Sequence, residues 1–185
     1  MIKPDAMTPQ QLLAQSELIY SAEAIDAAVE LLAQQITAQL HDTCPLVMSV
    51  MGGAVVFSGQ LLPKLRFPLE FDYVQATRYH NKTSGQDIVW KVEPGNNVQG
   101  RTVLLLDDIL DEGHTLAAIK QKCLEQGAKR VVIAVLTDKR LDHDKPIYAD
   151  FIGLTVPDRY VFGYGMDIYG WWRNLPVLDA LKSAS

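Results

Sequence analysis

The sequence predicts an α/β domain built on a central, mainly parallel sheet flanked by helices. Two observations carry this prediction. The runs Thr102-Val103-Leu104-Leu105-Leu106 and Val131-Val132-Ile133-Ala134-Val135-Leu136 are unbroken in their apolarity, the pattern of strands covered on both faces. Between them, Leu116, Ile119 and Cys123 mark one face of a helix and Gly127 supplies its stop, so the stretch reads as a βαβ unit. Such crossovers are right-handed in nearly all cases, and ligands sit outside the carboxyl ends of the strands. The loops after Val50, Leu106 and Leu136 are therefore expected on one face.

The other elements follow in chain order. Residues 8–18 read as a short helix. Ser21 is a candidate N-cap with Glu23 in the first turn, and Ile25, Val29, Leu32, Ile36 and Leu40 recur at helical spacing, which predicts an amphipathic helix over 22–40. Pro45-Leu46-Val47-Met48-Ser49-Val50 is a short apolar strand that stops at Met51-Gly52-Gly53 and gives way to a helix ending near Leu65. Residues 69–77 and 87–92 read as two strands joined by a polar tip, Arg78 to Gln86. A loop from Asp107 to Gly113 separates the first strand of the βαβ unit from its helix.

With 185 residues, 48% hydrophobic and 21% charged, residues 1–185 suit a single domain with its own core. No apolar run is long enough to span a bilayer, and Met1 to Gln11 lacks a charged-then-apolar leader pattern. We therefore expect a cytoplasmic protein with no membrane partner. The two cysteines, Cys44 and Cys123, form neither a disulfide framework nor a clustered zinc site, and both are expected as reduced core residues. A net charge of -5 with scattered Lys and Arg argues against a nucleic-acid partner. A phosphorylated small substrate would have to be held locally.

The stretch Asp107-Asp108-Ile109-Leu110-Asp111-Glu112-Gly113-His114-Thr115 supplies such a place. Backbone N–H groups from Glu112 to Thr115 at a helix N-terminus bind phosphate without a cationic side chain, and the Thr115 hydroxyl adds a donor. Asp107 and Asp108 can accept hydrogen bonds from vicinal ribose hydroxyls, leaving Asp111 free to accept a proton. Residue by residue, the same stretch also fits a structural role: acids that end a strand, a capped helix and a glycine turn. Neither a Gly-Lys-Ser/Thr phosphate loop nor a G-x-G-x-x-G fingerprint is present.

Taken whole, two acids, two apolar residues, an acid, Gly and Thr between a buried strand and a helix resemble the donor-binding signature of type I phosphoribosyltransferases. The resemblance extends over roughly residues 45–175, and its later part is similar to the hypoxanthine-guanine phosphoribosyltransferases in particular. The resemblance implies that family's fold, with a small hood built from the chain ends, and a base-binding and hood segment at about 139–175. In Leu136-Thr137-Asp138-Lys139-Arg140 it makes Lys139 the partner of the purine 6-oxo group. In Val156-Pro157-Asp158-Arg159-Tyr160-Val161-Phe162-Gly163-Tyr164-Gly165-Met166-Asp167 it makes Tyr160 stack on the base, Val161 present backbone groups to its edge, and Asp167 bind magnesium on the diphosphate. Asp107 and Asp108 are further metal candidates. Arg173, in Trp171-Trp172-Arg173-Asn174-Leu175, reaches the departing diphosphate.

Val50-Met51-Gly52-Gly53 resembles the family's first diphosphate loop, which implies a cis peptide at Met51-Gly52 exposing backbone donors. Arg78 and Tyr79 occupy the place of its catalytic lid, at about 77–87. Four positions depart from the usual pattern. Met51 and His114 stand where lysine is frequent, Glu112 where threonine is, and Arg78-Tyr79 where Ser-Tyr is common. The phosphate site is thereby less positive, and donor affinity is expected to lean more on magnesium. The implied reaction moves a 5-phosphoribosyl group from 5-phosphoribosyl 1-diphosphate to hypoxanthine or guanine, giving IMP or GMP. Asp111 is the implied general base, Mg2+ the cofactor, and a homodimer or homotetramer the assembly. Xanthine is an alternative base, whereas adenine would set amino donors against Lys139. A non-catalytic nucleotide-binding regulator of the same fold would need a lost base segment or a basic face, and the sequence shows neither.

Overall fold

Two hydrophobic layers on opposite faces of one sheet hold the domain together. In the computed structural model, which describes residues 7–78 and 88–182, the elements are α1 (Pro9–Ala14), β1 (Ser16–Tyr20), α2 (Ala22–Leu40), β2 (Leu46–Val50), α3 (Val55–Leu61), β3 (Glu70–Arg78) and β4 (Ile88–Val92). They continue with β5 (Thr102–Leu110), α4 (His114–Glu125), β6 (Arg130–Lys139), β7 (Phe151–Val156), β8 (Val161–Phe162) and β9 (Leu178–Leu181). The larger sheet has the order β4-β3-β2-β5-β6-β7, with parallel pairing except for β4 on β3. Alternate residues along its strands serve opposite cores. Leu104, Leu106, Val132, Ala134 and Leu136 pack with α2 and α3, while Val103, Leu105, Val131, Ile133 and Val135 pack with α4 residues Leu116, Ile119 and Cys123. Double coverage accounts for the unbroken apolar runs.

Helix α2 forms where its pattern predicts. The Ser21 hydroxyl accepts the Ala24 N–H at 3.3 Å, and Ile25, Val29, Leu32, Ile36 and Leu40 lie on its fully buried face. Each such side chain contributes about 1.5–3 kcal/mol by leaving water. The predicted 8–18 helix is shorter than its sequence suggests. Thr8 and Gln11 close a capping box and Pro9 fits the first turn, but the helix ends at Ala14 and residues 16–20 turn into β1. A partner distant in sequence dictates this, because β1 lies antiparallel on β9, with Glu17 opposite Ala180 and Tyr20 opposite Leu178.

Strands β1, β9 and β8 make a separate antiparallel sheet in that order, joining the two ends of the described chain into the expected hood. Strand β5 also runs beyond its predicted end. Asp107 to Leu110 stay in the ladder because β6 continues alongside, pairing Asp107 with Val135 and Leu110 with Asp138. The predicted loop therefore shrinks to a turn at Asp111 to Gly113. Cys123 is buried, but Cys44 is exposed at the entry to β2, with a φ of 44°. Its position in a surface turn overrides the expectation of a core thiol. Burial pushes the Cys123 thiol up to about 11. No helix among the described residues is long and apolar enough to cross a membrane.

Candidate active site

The carboxyl ends of β5 and β6 meet the hood at a cavity of about 540 Å³ lined by Asp108, Ile109, Asp111, Lys139, Tyr160 and Arg173, among others. Asp111 lies just beyond the end of β5, and Lys139 ends β6. Their side chains converge, with Lys139 Nζ 3.0 Å from Asp111 Oδ1. Asp111 is thus ion-paired with Lys139. The Lys139 side chain is only 12% exposed whereas that of Asp111 is 45% exposed, so the aspartate faces the open side of the pair.

Asp107 and Asp108 are nearly buried at the strand end. Each uses a carboxylate oxygen on the next backbone N–H: Asp108 N–H donates to Asp107 Oδ1 at 3.0 Å, and Ile109 N–H donates to Asp108 Oδ1 at 2.9 Å. Burial raises the pKa of Asp107, and the neighbouring Asp108 charge raises it further. Asp108 is also raised by burial, against the opposing effects of the Asp107 hydrogen bond, the Ile109 N–H and the Arg173 charge. An acid with a folded pKa above its unfolded value stabilises the fold fully below that unfolded value. The contribution is lost as pH rises through the folded pKa. We therefore expect Asp107→Asn, which retains the Oδ1 acceptor, to raise Tm at pH 7.5 by roughly 2–4 °C, the equivalent of ~1 kcal/mol in a chain of this size. The gain should shrink as pH falls toward ~4. Calorimetry across that range checks this, and an unchanged or lower Tm at pH 7.5 would refute it.

A smaller pocket of about 150 Å³ lies beside the turn and is lined by Asp107 to Gly113, Thr115 and Leu116. Gly113 adopts a φ of 81° and starts α4 without a side-chain cap, leaving that helix end suited to an anion. Glu112 is held by His143, Nε2 to Oε2, at 3.0 Å. His114 begins α4 but is not part of this pocket's lining.

The first loop carries the expected cis peptide at Met51-Gly52. Gly53 is enclosed on two sides: a β-carbon there would lie 1.9 Å from Asp108 Oδ2, and one on Gly165 would lie 2.0 Å from the Gly53 carbonyl oxygen. First loop, paired acids and hood segment are thus stacked without room for side-chain carbons. Arg173 closes the stack, donating from Nη1 to the Gly165 carbonyl at 2.6 Å and pairing through Nη2 with Asp167 Oδ1. Asp167 Oδ2 also accepts the Gly170 N–H at 2.6 Å.

Tyr160 lines the large cavity and stacks on Tyr169, with ring centroids 6.0 Å apart and planes at 19°. Val161 is buried in β8, one of the two edge strands of the hood. Arg159 ties this segment to both other hood strands, through an ion pair with Glu17 and a bond to the Leu181 carbonyl. The sequence reading did not single out Ile109, Asp158, Arg159 or Met166, all of which line the cavity. Their adjacency to Asp108, Tyr160 and Asp167 was the available signal. For the lid, Arg78 ends β3, and Tyr79 to residue 87 lie outside the described residues.

The chain belongs to the phosphoribosyl transferase domain family, whose pattern matches residues 15–169. Within that class, its relatives point one way. The hypoxanthine-guanine phosphoribosyltransferase of Bacillus subtilis (strain 168) is 35% identical over 170 residues, covering 91% of this chain and 94% of that protein. The hypoxanthine-guanine-xanthine phosphoribosyltransferase of Tritrichomonas foetus is 32% identical, with 90% and 92% covered. A crystal structure of a hypoxanthine phosphoribosyltransferase from Staphylococcus aureus matches with a TM-score of 0.84 at 26% identity, covering 90% of this chain and 91% of that one.

Proposed function

We propose that this enzyme serves purine salvage, transferring 5-phosphoribosyl from 5-phosphoribosyl 1-diphosphate to hypoxanthine or guanine and releasing IMP or GMP with diphosphate. The observation that carries this reading is the cavity in which Asp111, Lys139, Tyr160, Val161, Asp167 and Arg173 all take part. The purine rests against Tyr160 with its 6-oxo group toward Lys139. An ammonium has three donors, so Lys139 can serve that oxygen while still holding Asp111. Purine N9 attacks ribose C1, the C1–O bond breaks, and its electron pair leaves with diphosphate. The proton on purine N7 passes to Asp111, a general-base role worth about 10²- to 10⁴-fold.

The ribose hydroxyls are held by Asp107 and Asp108, and the 5-phosphate by the Glu112 to Thr115 amides and the Thr115 hydroxyl. The Gly52 and Gly53 amides, with Arg173, take the diphosphate, whereas the Met51 N–H is given to the Val74 carbonyl at 2.7 Å and leaves Met51 only the shape of the loop to contribute. Mg2+ fits this donor set. No three of the described His, Cys, Asp and Glu side chains form a cage, and magnesium is commonly held by one or two carboxylates plus substrate phosphates. Asp167 and, separately, the Asp107–Asp108 pair would supply the carboxylates. When bound, the ion neutralises charge on the leaving diphosphate.

Residues 77–87, including Arg78 and Tyr79, are assigned to a lid that excludes water during transfer. Phe71 and Tyr73, on one face of β3, are 49% and 43% exposed, apolar surface of the kind a second copy would cover; we assign a homodimer or homotetramer. We place the enzyme in the cytoplasm. The test is magnesium-dependent diphosphate release with hypoxanthine, guanine, xanthine and adenine supplied separately. Turnover with hypoxanthine or guanine is expected. Xanthine remains the alternative base, consistent with the name of the T. foetus relative. Nucleotide binding without turnover on any base would replace the enzyme with a regulator.

A further inference from the structure

We infer that Lys145, which lies outside the cavity lining, is a positioning residue that aligns Asp111 and Lys139. Its side chain is 6% exposed, and its ammonium donates to three acceptors: the Leu110 carbonyl at 2.8 Å, Asp138 Oδ1 at 2.7 Å and the Lys139 carbonyl at 2.6 Å. An ammonium has three N–H groups, so all are spent on protein and none is left for a substrate. Two of the three acceptors are peptide carbonyls at the functional pair itself. The Leu110 carbonyl belongs to the peptide that leads into Asp111, and the Lys139 carbonyl belongs to Lys139.

The location gives these bonds their importance. The ladder between β5 and β6 ends at Leu110 opposite Asp138, one residue short of both functional side chains. Beyond that point no backbone rung joins the two strand tips, and Lys145 bridges them instead. The same segment braces the acidic turn at two more places. His143 holds Glu112, and Ile147 and Pro146 close over Gly113, where a β-carbon would lie 3.1 Å from Ile147 Cγ2 and 3.5 Å from Pro146 Cδ. The connection between β6 and β7 thus acts as a buttress for the turn, with Lys145 as its charged anchor. Removing the ammonium would leave Asp138 and two carbonyls short of a donor in a half-buried place, and the strand tips would relax independently.

This inference rests on the proposed role of Asp111, so the test is a double-mutant cycle with full-length protein. Turnover of hypoxanthine is measured for the parent, Lys145→Met, Asp111→Asn and the double variant, with circular dichroism to confirm folding. We expect Lys145→Met to lower kcat by about 30-fold or more, since small misplacements cost up to ~10²-fold, while KM for the diphosphate donor stays within about threefold. In the Asp111→Asn background the same change should cost less than about threefold, because groups acting through one another are not additive. Equal losses in both backgrounds, or full turnover in folded Lys145→Met, would overturn the assignment. Should Lys145→Met not fold, Lys145→Gln, which keeps a donor for a carbonyl, enters the same cycle under the same criteria. An inactive parent would defeat the proposed function, whereas an active parent with additive losses would defeat only the role of Lys145.

Discussion

Asp111→Asn is expected to fold as the parent does and to lose turnover by about 10²- to 10⁴-fold, the usual contribution of a positioned general base. Folding should survive for two reasons. The Asp111 side chain is 45% exposed, and its ion pair is with Lys139, the kind of partly solvated contact whose loss costs on the order of 1 kcal/mol or less. Asparagine also keeps an oxygen that can accept from Lys139 at the same position. What it cannot do is take the purine N7 proton. The loss should therefore fall on kcat and kcat/KM together, with donor binding preserved. Steady-state and single-turnover rates on purified protein measure this, and parental turnover would remove Asp111 from the role of base.

Gly165→Ala should damage the site through the backbone. Gly165 has a φ of 105°, and an added β-carbon would stand 2.0 Å from the Gly53 carbonyl oxygen. That atom is main chain and cannot rotate away. Gly53 cannot retreat either, since its other side lies against the Asp108 carboxylate. The first loop must therefore move relative to β5, and Arg173 loses its seat on the Gly165 carbonyl. We expect kcat/KM to fall by about 10²-fold or more, the scale of a misplacement near 1 Å. The unfavourable φ alone should cost ~1–3 kcal/mol, which lowers Tm by several degrees. Gly59→Ala is the control, because Gly59 lies in α3 with nothing within 4 Å of its β-carbon position. It should leave activity intact and hold or raise Tm. Equal behaviour of the two variants would refute the stacking argument.

Much of this site is legible in the sequence because its chemistry is carried by contiguous residues. Asp107 to Thr115 spell out a strand, a turn and a helix start, and Tyr160 to Asp167 lie in one short run. That both faces of the sheet are covered was readable from the unbroken apolar runs at 102–106 and 131–136. What escaped depends on contacts between residues far apart. Strand β1 exists because β9 lies beside it, and nothing in residues 16–20 announces a partner at 178–181. Asp107 and Asp108 read as loop residues by their own preferences, yet β6 keeps them in register. Lys145 was not singled out, since what gives it meaning is that it joins the Leu110 carbonyl of β5 to Asp138 and Lys139 of β6. Arg159 was passed over for the same reason, its partners Glu17 and Leu181 being distant in the chain.

The order of strands in the hood bears on how the protein is made. Strand β9 lies between β1 and β8, so neither of those has a strand to pair with until residues 178–181 have been synthesised. The large sheet, by contrast, has all six of its strands once Val156 is in place. A nascent chain arrested before Leu178 would therefore carry the acidic turn and first loop while the segment bearing Tyr160 and Val161 still lacked its partner. During translation, the acidic turn and the first loop can be set by the large sheet first, and the segment bearing Tyr160 and Val161 is fixed only once β9 has emerged.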